Sequence, residues 1–161
     1  MNHKIFAVLL ALAAAAAQAA DSYGYFALWQ NPANEKEPLQ VKTTKENATQ
    51  AEAAAELQAF CRAQDTLAGV PAGGATGCTS VVPLHNSCIA IAYPAAQHRM
   101  TDENVVAITS PLFSNVQRLA LSQCTKKYGS QGNCELQTAF CTDKNYYGGT
   151  VRNLWNRLKT R

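Results

Sequence analysis

The chain has 161 residues, with 14 basic and 11 acidic side chains, a formal net charge of +3 and a hydrophobic fraction of 47%. This length fits a single domain, and the near-neutral balance excludes a general nucleic-acid binder, which would carry a strongly basic face.

The opening "MNHKIFAVLLALAAAAAQAA" has Lys4 as a short positive region, an unbroken apolar run over residues 5–17 and small residues at its end. That order predicts a secretory signal peptide over residues 1–20, cleaved near Ala19 or Ala20. A membrane anchor is the competing reading, but crossing hydrocarbon takes roughly 20 apolar residues, and this run is shorter and mostly Ala. No cysteine at the cleavage point supports a lipid anchor, and no later segment is apolar enough to span. Cleavage removes Lys4, so 13 basic residues face 11 acidic ones in the mature chain.

From there "YGYFALW" and "LQVKTT" read as strands, followed by a helix from Thr49 to Ala63 that is rich in Ala, Glu, Gln and Leu. Thr49 and Glu52 have capping-box spacing. Glu52 and Glu56 read as a solvated helix face. "NAT" at Asn47 matches a glycosylation acceptor but reads more simply as a polar helix entry. The loop "AGVPAGGATG" ends the helix and lacks the Lys and Ser/Thr of a phosphate loop.

"TSVV" and "CIAIAY" are short β-branched runs bounded by Gly, Pro and Asn, and read as strands. Between them His85 and Asn86 read as a turn, with Asn86 suited to an unusual backbone angle; the competing reading is a His–Asn pair serving a nucleophile. His98 and Asp102 fall in a polar connector, with Glu103 beside them. "VVAITS" is a strand, Ser114 and Gln117 repeat the capping spacing ahead of a second helix, and "ELQTAF" is the last strand. Ser130 in "YGSQG" lacks the spacing of a hydrolase elbow and reads as turn chemistry. The order strand, strand, helix, strand, strand, strand, helix, strand predicts an α+β fold: a small, mainly antiparallel sheet with two helices.

All six cysteines, Cys61, Cys78, Cys88, Cys124, Cys134 and Cys141, lie in the mature chain. An even number in an exported protein reads as a disulfide framework. Zinc is disfavoured because no C-x-x-C pair exists and only His85 and His98 remain. The pattern occurs twice: "TQAEAAAELQAFC", "GCTSVV" and "NSCIAIAYP" in residues 21–94, then "SNVQRLALSQC", "GNCELQ" and "AFC" in residues 95–143. If the halves are equivalent, each helix cysteine pairs with the one opening its next strand, Cys61 with Cys78 and Cys124 with Cys134. Cys88 and Cys141 then join the halves.

These features resemble the secreted bacterial family labelled domain of unknown function 4189: the Ala-rich helix ending in Cys, the "GC" before a valine strand, "NSCIAIA", and the opening "YGYFA". The resemblance covers most of the mature chain to Cys141. It implies export and disulfides, and no established reaction. The longer first loop, Thr138-Ala139-Phe140 before the last cysteine and the extension beyond it depart from the pattern.

Residues 144–161 form a basic, amphipathic segment. Val151, Leu154, Trp155 and Leu158 share one helical face, surrounded by Arg152, Arg157, Lys159 and Arg161. Trp155 with those four basic residues is the candidate partner surface; packing of the apolar face on the domain is the competing reading. With every cysteine paired, no thiol nucleophile remains, and no catalytic, cofactor or metal constellation is recognised. The expectation is an exported, non-enzymatic protein-binding module, periplasmic or secreted, such as an inhibitor or immunity protein, with a protein partner. The alternatives are an effector with an unrecognised site at His85 or His98, and a structural or adhesive envelope protein.

Overall fold

The computed structural model describes residues 21–147; the expected signal peptide over residues 1–20 and the segment carrying Arg152, Trp155, Arg157, Lys159 and Arg161 lie outside them. The elements are β1 (Tyr23–Trp29), β2 (Gln40–Thr43), α1 (Gln50–Leu67), β3 (Cys78–His85), β4 (Cys88–Pro94), β5 (Val106–Ser110), α2 (Phe113–Tyr128) and β6 (Cys134–Cys141). Every strand pairing is antiparallel, and the fold is α+β with two helices. The strands form two three-stranded sheets, β2-β1-β3 and β5-β4-β6, where the sequence suggested one.

Period-two alternation explains the division. Phe26, Leu28 and Leu84 on one sheet meet Ile89, Ile91 and Phe140 on the other in a single buried cluster. The opposite face of the second sheet, with Cys88, Ala90, Ala92 and Cys141, packs on Val116, Ala120 and Cys124 of α2. Helix α1 covers the outer face of the first sheet, where Trp29 Nε1 donates to Asp65 Oδ1 at 2.8 Å. The layers therefore run α1, sheet, sheet, α2. Gly24 faces the second sheet: a Cβ there would sit 3.0 Å from the Phe140 ring.

The two halves repeat one unit, strand–strand–helix–strand, with the first strand central and the other two at the edges. Strands β1 and β4 each have seven residues, and β3 and β6 each have eight. Registers match: Tyr23 faces His85 as Cys88 faces Cys141, and Trp29 faces Cys78 as Pro94 faces Cys134. Both ladders slip by one residue after the fourth pair, Phe26–Val82 in one and Ile91–Thr138 in the other. A boundary after Pro94 separates β4 from the sheet it centres; the topology divides the chain between His85 and Cys88.

Some local expectations change. Strand β3 continues through Pro83 to His85, so His85 ends a strand and only Asn86 turns, at φ +47°. Pro83 is tolerated because it sits on the outer edge of the sheet, where its missing N–H costs no ladder bond. Helix α1 has the full Thr49–Glu52 capping box, but α2 is capped at Leu112 with no side-chain cap bond, and Ser114 falls inside the first turn. Glu52 and Glu56 are not merely solvated: they hold Lys45 and Lys42, tying α1 to β2 and the segment after it.

Candidate functional site

Three disulfides fix the frame. Cys61–Cys78 joins α1 to the start of β3, Cys124–Cys134 joins α2 to the start of β6, and Cys88–Cys141 links the facing strands β4 and β6. Such bonds belong to an oxidising compartment. Among the described residues no helix is long and apolar enough to cross a membrane, and no cluster of His, Cys, Asp and Glu could hold a metal ion.

The residues with chemical potential gather at the His85 end of β3. Tyr23 and Tyr25 are two apart on β1, so both side chains fall on the α1 face; His85 and Pro83, their partners across the ladder, join them there. The rings of Tyr23 and His85 stack with centroids 4.6 Å apart and planes 13° from parallel. Together with Gln50 at the first turn of α1, these four line a cavity of about 260 Å³ floored by Gly24 and Leu84.

One rim of this groove is a polar network. Asn86 Nδ2 donates to Asp21 Oδ1 at 2.8 Å, and Asn86 Oδ1 accepts from Ser22 N at 2.9 Å and from Ser22 Oγ at 3.1 Å. Ser22 Oγ pairs with the buried Thr142 hydroxyl at 2.8 Å, which also accepts from Ser87 N at 3.1 Å. The network thus welds the start of β1 to the ends of β3 and β6. The left-handed backbone of Asn86 lets its amide turn back on Asp21 and Ser22, a conformation Asn adopts more readily than most residues.

His85 Nε2 lies 3.2 Å from Asp21 Oδ1 and 3.1 Å from Asn86 Nδ2. The contacts are alternatives set by the proton: a bare Nε2 accepts from Asn86, and a protonated one donates to Asp21. The hydrogen bond from Asn86, then that from His85, hold the Asp21 carboxyl below its ordinary range. The Asp21 carboxyl is therefore ionised at neutral pH.

A carboxylate beside an imidazole invites a catalytic reading, but the Ser22 hydroxyl is bonded to Asn86 and Thr142 rather than to His85. His98 sits apart, in a left-handed turn ending the short 3-10 segment Ala95–Gln97, and Asp102 is bonded to Ser80 Oγ. Asn47 is taken into the frame by backbone and side-chain bonds to Thr142 and Lys144. Sequence reading did not single out Tyr23, Tyr25, Gln50, Pro83 or Asp21. The available signal was the i, i+2 tyrosine pair in "YGYF", which puts two phenol rings on one face of a strand.

The lining differs at the equivalent place in the second half. Cys88 and Cys141 stand where Tyr23 and His85 do, Ala90 and Ala139 replace Tyr25 and Pro83, and Phe113 opens α2 as Gln50 opens α1. Phe113 packs edge to face on Tyr147, at 5.0 Å between centroids, against the cluster containing that disulfide.

No curated protein and no solved structure matches the chain. One family model does, described as Domain of unknown function (DUF4189), over residues 23–141. That span starts on the first residue of β1 and stops on the last of β6, taking in both halves of the duplication, and the chain belongs to this family.

Proposed function

We propose that the protein is an exported binding module of the bacterial periplasm or exterior, whose disulfide-held frame presents a recognition groove to another protein. The observation that supports this reading is the contrast between equivalent corners of the halves: one is held by a disulfide beside two aromatic rings, and the other borders a groove lined by Tyr23 and His85. Three disulfides suit an oxidising compartment, and the leader over residues 1–20 supplies the route. Inhibition or immunity would need no more than a rigid frame and a shaped surface. The basic segment with Arg152, Trp155, Arg157, Lys159 and Arg161 adds a second contact for the same partner.

The competing reading, an effector working through His85, draws on the Asp21–His85 pair. Stoichiometry separates the two. A binding module saturates its target at one equivalent in a titration of the oxidised protein against envelope and culture fractions. Turnover of a target at far below one equivalent would replace the binding reading with an enzymatic one.

A further inference from the structure

We infer that the open groove of the first half binds a tyrosine side chain of a partner protein. This rests on the binding-module reading and names what the groove takes.

The second half supplies the template. There Tyr147 packs beside Phe113 over the Cys88–Cys141 pair, and its hydroxyl accepts from Cys141 N at 3.0 Å. Burial first of all, with Glu46 adding to it, pushes the Tyr147 phenol up from its ordinary value, so the ring docks as a neutral phenol. The backbone N–H it meets points away from β4, because the neighbouring Thr142 N points inward to Ser87 O at 2.9 Å.

The first half repeats this backbone, and among the described residues no ring takes the place of Tyr147 there. Asn86 N points inward to Ser22 O at 2.9 Å, so His85 N–H points outward from the edge of the sheet, as Cys141 N–H does. Residues 142–147 bring Tyr147 back after β6. Nothing equivalent follows β3, because the chain passes through Asn86 and Ser87 directly into β4. Gln50 stands in place of the Phe113 ring, leaving the slot between Tyr23, Tyr25 and Pro83 open. Its volume of about 260 Å³ suits one aromatic side chain better than a drug-sized ligand. Tyrosine walls favour a ring packed edge to face or offset.

The test uses the oxidised, nitrogen-15-labelled protein and N-acetyl-L-tyrosinamide, followed by amide chemical shifts. The expected result is a saturable change largest at His85 and Tyr25, with a dissociation constant on the order of 1 mM, as for a single side chain. N-acetyl-L-phenylalaninamide binds roughly 3–10-fold more weakly, because it leaves the His85 N–H without an acceptor. Gln50→Phe places in α1 the ring that Phe113 supplies to α2, at an exposed position, and lowers affinity at least ~10-fold by filling the slot. Absence of a saturable shift at His85, equal binding of the phenylalanine probe, or unchanged binding to Gln50→Phe would each overturn the inference. Stoichiometric partner binding that persists in Gln50→Phe overturns the groove as its site and leaves the binding-module reading standing.

Discussion

Tyr23 and His85 stack across β1 and β3 at the register position that Cys88 and Cys141 hold as a disulfide across β4 and β6. The same corner of a duplicated unit is closed once by aromatic contact and once by a covalent bond. An aromatic pair contributes about 0.5–1.5 kcal/mol beyond its buried area, whereas a disulfide gives about 2–4 kcal/mol. The first corner is therefore the weaker one, and it is the one that borders the groove.

His85→Ala should accordingly lower unfolding free energy by about 1 kcal/mol, the worth of one aromatic pair. Replacing Cys88 and Cys141 together by Ala should cost about 2–5 kcal/mol, as for loss of a native disulfide. Urea unfolding of both variants measures the difference; equal costs would contradict the two kinds of closure.

Asn86 anchors the rim in two ways, through its left-handed backbone and through its amide. Both Asn86→Gly and Asn86→Ala lose the amide bonds, but Gly enters the left-handed region freely, while Ala lacks the local side-chain bonding that lets Asn tolerate it and bears about 1–2 kcal/mol there. The Ala variant should be the less stable of the two by denaturant unfolding.

At the entry to α1, Glu52 is held down to about 2 from an ordinary 4.5, by Lys45 first and then by Thr49. A carboxyl lowered in the folded state stabilises above its unfolded value and loses that contribution as pH falls from about 4.5 towards 2. Glu52→Gln should thus show a shallower loss of stability than the unaltered protein over that window, measured by thermal unfolding at a series of pH values. Thr49→Ala should cost about 1 kcal/mol at neutral pH through the lost cap.

Gly77 precedes Cys78, and a Cβ there would lie 2.3 Å from Gln30 O and 2.6 Å from Trp29 Nε1. Its N–H also donates to Asp65 Oδ1 at 2.9 Å, beside the Trp29 bond. Gly77→Ala should destabilise by about 1–3 kcal/mol, as overpacking does, with a change in Trp29 emission as the indole is displaced.

The secondary structure was legible because its signals are local. "TQAEAAAEL" carries its own cap and helix formers, and "CIAIAY" its β-branched run. The division into two sheets was not, because Phe26 and Ile91 look alike as apolar strand residues, and only packing assigns them to facing layers. The cysteine pattern ends its first copy at Cys88 and so draws the repeat at Pro94, whereas strand pairing makes β4 the central strand of the second sheet, a grouping that only the topology displays. The groove was invisible for a related reason. Tyr23 and Pro83 are 60 positions apart, and Gln50 matters only because its counterpart is Phe113. His85 stood out in the sequence as a turn residue, yet its ring is placed by the strand and by Tyr23.

The most direct test of the central claim, that the Tyr23–His85 groove is the recognition face, is photo-crosslinking in the native host from two positions of α1. A benzophenone side chain at Gln50 borders the groove, and one at Leu67, 81% exposed at the far end of the helix, serves as the control. The account predicts a discrete protein adduct from position 50, absent from position 67 and lost when Tyr23 is replaced by Ala. Adducts of equal yield from both positions, or an adduct at 50 indifferent to Tyr23, would contradict it.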